Sequence, residues 1–135
     1  MNKSTISKKI LFWYDNNKRI LPWRKNTSKE QKLYFTLVSE FMLQQTQVTT
    51  VIPYFKRFVQ KIPNFKKLSK ANDQTLMKLW EGLGYYSRAR NLKKSAIMIN
   101  GKFGGILPSN FEDLKSLPGI GDYTSTAIMA IAFNQ

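Results

Sequence analysis

Cysteine and histidine are both missing from the 135 residues. The first absence excludes disulfides, thiolate metal sites, iron–sulfur ligation and Cys nucleophiles within this chain. The second excludes His-dependent triads and the common zinc sites. Acid–base chemistry is left to carboxylates, Tyr and Lys. Carboxylates are scarce as well: 8 Asp+Glu stand against 22 Lys+Arg, a formal charge of +14. No apolar run approaches the roughly 20 residues that a bilayer span needs, and residues 10–14 fall short of a signal-peptide core of about 7–15 residues. A soluble, cytoplasmic protein without a membrane role is expected. With 42% hydrophobic residues a packed core is feasible, and the length suits one domain.

What is present is a lopsided positive field. Residues 1–70 hold 15 basic and 3 acidic residues, whereas residues 71–135 hold 7 and 5. Such a field favours a polyanion, either nucleic acid or an anionic membrane surface. The apolar spacing is helical throughout, so the expected fold class is all-α. Helices are predicted over 5–16, 31–45, 47–61, 65–70, 73–81, 86–100 and 122–133. Thr46 is the expected N-cap of 47–61, Pro53 should kink that helix, and Gly101 should cap 86–100. A Ser109…Glu112 capping box opens a further short helix to about Lys115. Leu37, Val38 and Phe41 mark one buried side; Val48, Ile52, Phe55 and Val59 mark a second; Ala89, Leu92, Ala96 and Ile99 mark a third. Residues 18–30 read as a basic loop. The helical pattern still runs at Gln135 without a cap, which gives the expectation that a longer protein has been cut there.

Few residues can carry chemistry. Glu40 is the only charge within residues 37–46. At the margin of an apolar helix face its pKa would rise, as a general acid near neutral pH requires; a solvated Glu at the polar edge is the alternative. Gln44, Gln45 and Gln47 offer donors and acceptors to base edges, so Gln44 is a candidate DNA contact. Tyr85 and Tyr86, followed by Arg88, suit base stacking with a phosphate contact nearby, or simply a core. Trp23-Arg24 repeats the aromatic–basic pairing on a loop, where an exposed Trp is expected. The turn Leu117-Pro118-Gly119-Ile120-Gly121 before a helix N-terminus is either a tight helix–helix turn or a phosphate-binding corner.

Five segments together resemble one family. They are Leu21-Pro22-Trp23-Arg24, the run from Ser39 through Gln44-Gln45-Thr46-Gln47-Val48, Val51-Ile52-Pro53-Tyr54-Phe55, the run from Trp80 through Gly82-Leu83-Gly84-Tyr85-Tyr86-Ser87-Arg88 to Leu92, and Leu117-Pro118-Gly119-Ile120-Gly121. The chain resembles the A/G-mismatch adenine DNA glycosylases of the helix-hairpin-helix superfamily, whose members are longer. The resemblance implies a six-helix barrel over 19–135 with the helix-hairpin-helix at about 110–133. It also implies an N-terminal helix over 1–18 that packs on a further, cluster-bearing domain.

Carried over by position, it implies that Glu40 protonates the leaving adenine and then handles the attacking water. Trp23, Arg24 and Leu43 would form the adenine pocket, with Arg19 just outside. Gln45 and Tyr85 would intrude into the duplex, and Tyr123 would stand against the reaction centre. Gly119, Ile120 and Gly121 would hold phosphate through backbone N–H groups and a cation on backbone carbonyls. The implied partner is double-stranded DNA with adenine opposite 8-oxoguanine or guanine, met by a monomer associated with a bacterial nucleoid. No cofactor is expected on this chain; a [4Fe–4S] cluster and an 8-oxoguanine-recognising domain belong to longer members. The family's second catalytic carboxylate would fall beyond Gln135, so DNA binding with little turnover is the expectation for these residues alone. Residues 25–36 depart from the family's shorter lead-in to Glu40 and alter the pocket rim. An endonuclease III-like glycosylase/lyase shares barrel and hairpin but carries a Schiff-base Lys where Tyr123 stands.

Overall fold

The structure, a computed structural model, describes residues 21–24 and 28–133. The expected helix over 5–16, Arg19 and the Arg24 side chain lie outside the described residues. Among those described there are seven α-helices and no strand, so the chain is all-α as expected. A 3-10 turn (Pro22–Arg24) precedes α1 (Lys29–Leu43), α2 (Val48–Lys61), α3 (Phe65–Ser69), α4 (Asp73–Trp80), α5 (Ser87–Lys102), α6 (Phe111–Lys115) and α7 (Asp122–Phe133).

Four helices start on a polar side chain that accepts a first-turn N–H. Ser28 accepts from Gln31, Asn64 from Lys67, Asn72 from Thr75 and Asn110 from Asp113, at 3.2, 2.8, 2.7 and 2.9 Å. α1 is the central element. Every residue from Thr36 to Met42 is buried, and it packs on α2, α5, α7 and the 3-10 turn. A helix without a polar face belongs in the middle of a domain. Opposite it, α7 buries Thr124, Ser125, Thr126, Ala127 and Ile128, small residues that let two backbones approach closely. Their hydroxyls cause no penalty, because Ser125 donates to Gly121 O at 2.8 Å and Thr126 to Asp122 O at 2.9 Å.

Where α1, α2 and α4 meet, aromatic rings pack edge-on among the aliphatic core residues. Trp23 and Phe35 meet Phe55 at 5.1 and 5.3 Å, Tyr34 meets Phe65 at 4.9 Å, and Phe58 meets Trp80 at 6.0 Å. The Tyr34 hydroxyl donates to Ile62 O at 2.6 Å and so pins the start of α1 to the end of α2.

The packing corrects several local expectations. α1 begins at Lys29 because Ser28 caps it, and it stops at Leu43, leaving Gln44 and Gln45 outside. Gln47, not Thr46, stands at the N-cap of α2. That helix buries Val51, Phe55 and Phe58, whereas Val48, Ile52 and Val59 are only half-buried. Two overlapping apolar stripes exist in this sequence, and the rings of Trp23, Phe35 and Trp80 select one. α5 runs through Gly101 to Lys102, and Gly104 and Gly105, with φ of 65° and 83°, turn the chain after its C-cap Phe103, the Gly105 N–H donating back to Ile99 O. The box before α6 is Asn110/Asp113 rather than Ser109/Glu112, with the Asn110 amide also donating to the Asp113 carboxylate at 2.8 Å. Trp23 is not exposed on a loop; it is 2% accessible.

Candidate functional site

Three connections meet at one end of the bundle: residues 44–47 after α1, residues 81–86 before α5, and the turn 116–121 before α7. Arg88, in the first turn of α5, ties the first two. One guanidinium nitrogen donates to the carbonyls of Phe41, Met42 and Gln44, and the other donates to Leu83 and Gly84 at 3.3 and 3.1 Å. Its charge also lies 5.6 Å above the Trp80 ring and 5.5 Å above the Tyr85 ring. This corrects the expectation of a phosphate contact. Arg88 is buried, and the last turn of a helix presents carbonyls that need donors.

Gln44 ties the first connection to the third. Its amide nitrogen donates to Gly119 O at 3.3 Å and to the Thr124 hydroxyl at 3.2 Å. That nitrogen therefore serves the fold before it serves any base. The Ser95 hydroxyl, from the middle of α5, donates to Pro118 O at 3.0 Å. Thr124, Ser95 and Asn91 were not singled out from sequence. A polar Ser95 beside Ala96 within a helix's apolar stripe was the one available signal.

Glu40 sits one turn before the end of α1. It is 9% accessible and is the only carboxylate among the buried residues described. No described residue hydrogen bonds to it or pairs with it. Loss of water around the carboxyl pushes its pKa up to about 7, because burial in low dielectric penalises the charged form. Near neutral pH the group is thus poised to give or take a proton. The alternative of a solvated Glu is set aside by its burial.

Gln45 and Tyr85 are the only described residues other than glycine with positive φ, at 59° and 50°. Each such conformation costs of order 1–3 kcal/mol and persists only where the surroundings impose it. Both side chains project outward, Tyr85 with 62% of its surface accessible, as has Tyr123 at the start of α7. Leu43 is half-buried between these positions and the core. Trp23 stands apart from an open rim, edge-on to Phe55.

The two glycines of the hairpin differ. Gly119 has φ of 83°, and a Cβ there would meet Asn91 Cβ at 2.9 Å and Phe41 at 3.0 Å. A Cβ on Gly121 would meet nothing within 4 Å. Gly119 is thus required by the fold, whereas Gly121 leaves bare backbone facing open space. Gly119→Ala is expected to lower stability by about 2 kcal/mol, and Gly121→Ala to leave the thermal midpoint nearly unchanged. Parallel thermal melts check this pair. Ile120 is buried, so only its backbone can face a ligand. The carbonyls of Leu117, Pro118 and Gly119 each accept one internal hydrogen bond, which leaves each one lone pair for a cation, whereas Gly121 O already accepts from both the N–H and the hydroxyl of Ser125. With no Cys or His in the chain, nothing here fits an iron–sulfur cluster.

Residues 38–132 match the HhH-GPD superfamily base excision DNA repair protein family. The chain is 47% identical over 137 residues to an adenine DNA glycosylase of Rattus norvegicus, covering 98% of this chain and 27% of that protein. It is 44% identical over 135 residues to an adenine DNA glycosylase of Buchnera aphidicola subsp. Acyrthosiphon pisum (strain APS), covering 99% of this chain and 37% of that one. It therefore spans well under half the length of these curated relatives. Among solved structures, a thermostable thymine-DNA glycosylase superposes with a TM-score of 0.77 at 28% identity, covering 98% of this chain and 60% of that chain. An endonuclease III in a non-covalent DNA complex shares the fold, with a TM-score of 0.71 at 21% identity over 99% of this chain and 61% of that one. The chain belongs to the HhH-GPD superfamily of base excision DNA repair proteins.

Proposed function

We propose that this chain carries the base-excising domain of an adenine DNA glycosylase, which hydrolyses the N-glycosidic bond of adenine opposite 8-oxoguanine or guanine. The observation that carries the reading is the buried carboxyl of Glu40, without a partner among the described residues and poised near neutral pH on the helix that packs against α7. Glycosidic cleavage passes through an oxocarbenium-like state, and protonation of the departing base lowers its barrier. Glu40 donates that proton, and as a carboxylate it then takes one from the attacking water. The adenine must first leave the stack. Gln45 and Tyr85, already turned outward, occupy the gap. Leu43 borders the base, Trp23 backs that pocket from the core, the family resemblance assigns Arg24 and Arg19 to its rim, and Tyr123 faces the sugar. Backbone N–H groups at Gly119 and Gly121 hold a phosphate without reading sequence, while the Ile120 N–H, given to Leu117 O, shapes the turn.

A second reading rests on the absence of another buried carboxylate among the described residues: these 135 residues bind mispaired DNA but turn it over poorly. Single-turnover adenine release from an 8-oxoguanine:adenine duplex, with Glu40→Gln alongside, separates the two. Glu40-dependent release supports excision by this chain. Binding that weakens steeply with salt, without release, supports the second reading. Strand cleavage trapped by borohydride, or no affinity for the duplex, overturns both. Gly121→Ala, neutral for folding, is expected to weaken duplex binding about tenfold, since a methyl would sit between backbone and phosphate.

A further inference from the structure

Residues 56–78 hold seven basic side chains and one acid. The acid, Asp73, is taken up by Lys93 at 2.9 Å. Lys61, Lys66, Lys67 and Lys70 line one depression between the end of α2, α3 and the start of α4. It continues past Lys61 and Thr75 into a second depression lined by Arg57 and Lys78. All six of these basic residues are exposed, and neither of the ion pairs among the described residues involves them. A run of uncompensated charge along a groove is a feature the excision chemistry does not use.

Its position matters as much as its sign. α2 starts beside Gln45 and ends at Lys61; its 14 residues span about 20 Å at 1.5 Å per residue. α4 likewise starts at the groove and ends at the Gly82–Tyr86 connection. The four-lysine part of the groove and the site connections therefore lie at opposite ends of α2, while Lys78, in the last turn of α4, carries the charge back toward the connections. A duplex laid across the site connections at right angles to α2 touches the protein about 20 Å from the four-lysine end of that helix.

We propose that this groove is a second nucleic-acid surface, which holds the phosphate backbone of a duplex segment other than the one at the site. The proposal rests on the reading that the site connections hold duplex DNA, and goes beyond it. The lining fits a phosphate backbone. Lysines alternate with Asn64, Asn72 and Thr75, side-chain types that bond phosphate oxygens. A protein partner would call for an apolar centre. The exposed large apolar residues, Tyr85, Tyr86, Ile97, Ile106 and Tyr123, all lie outside the groove. With both surfaces filled, one protein molecule bridges two duplex segments.

The test uses two short duplexes, one carrying a donor dye and one an acceptor, mixed with the protein and with its Lys66→Glu/Lys67→Glu/Lys70→Glu variant. A Lys→Gln triple variant guards against loss of fold. The wild-type protein is expected to give energy transfer and to take up two duplexes. Both variants should keep the first duplex and bind the second at least tenfold more weakly. The log–log salt slope of that second event should shrink by nearly three. Uptake of one duplex only, or bridging that survives both variants, overturns the proposal; survival is also what a dimer using two identical sites would show. Groove-dependent binding of polyglutamate or of anionic vesicles, without a second duplex, overturns it and assigns the surface to those partners. Loss of Glu40-dependent excision with bridging intact would defeat the excision reading alone.

Discussion

Replacing Glu40 by Gln is expected to yield a protein that is more stable and, on the excision reading proposed above, catalytically silent. The carboxyl titrates at about 7 in the folded chain against 4.5 for the unperturbed group. Between those values the folded state keeps a proton that the unfolded state has released. Stability therefore falls as pH rises through this window, and the whole penalty is present above it. At about 1.4 kcal/mol per pH unit it amounts to roughly 3 kcal/mol, or on the order of 10 °C in melting temperature for a domain of this size. Gln has similar shape and no charge to desolvate, so it removes the penalty. The gain should be large at pH 8 and vanish near pH 4, where Glu40 is protonated in both states. Thermal melts of both proteins at the two pH values check this. Adenine release should meanwhile fall by about 10²–10⁴, the usual contribution of a positioned general acid. Release by the wild-type protein should decline as pH rises past 7, because the acid has then lost its proton. A Gln variant that is no more stable at pH 8 would mean that the carboxyl is solvated after all.

Arg88→Met should be the most damaging single change outside the apolar core. The guanidinium supplies donors to five carbonyls, two in the last turn of α1, one at Gln44 just after it and two in the connection before α5. Methionine fills much of the volume and donates to none of them; Gly84 O keeps the Trp80 indole N–H and Gln44 O the Thr46 hydroxyl, so the carbonyls of Phe41, Met42 and Leu83 lose their side-chain donor. Buried acceptors left without donors cost about 1–3 kcal/mol each; allowing for water reaching the outer ones, a loss of about 3–5 kcal/mol is expected in urea unfolding. Arg88→Lys should recover only part, because one ammonium cannot span both connections as a planar fork does. Hydrogen exchange should quicken at residues 44–46 and 83–86 while the centre of α1 stays protected. Uniform loosening of the whole domain would contradict the tether.

The sequence made some of this legible and hid the rest for identifiable reasons. The apolar spacing of Ala89, Leu92, Ala96 and Ile99 points one way only, and α5 buries those residues. Glu40 stood out because it is a lone charge in an apolar stretch, and that is a local property. Arg88 did not stand out as internal. Its carbonyl partners on α1 lie 44 to 47 residues away, and beside two tyrosines it reads as a surface cation. Trp23 misled for the same reason: its partner Phe55 belongs to another helix. The register of α2 was ambiguous because two stripes compete, and only contacts with other elements decide between them. Close approach at Gly119 was readable from a Gly two residues before another, but Asn91 as the neighbour was not. Backbone handedness at Gln45 and Tyr85 carried no signal, since neither residue type favours it.

The left-handed backbone at Gln45 and Tyr85 has a kinetic side. A wedge that assumed its shape only on meeting a duplex would add an ordering step to every encounter, most of them at undamaged sites. Here the unfavourable geometry is set once, during folding, and held by the Arg88 tether. Each visit to a normal base pair can then be short, and the time spent per position is governed by how readily the base leaves the stack. On the reading proposed above, the structure trades thermodynamic stability for search speed.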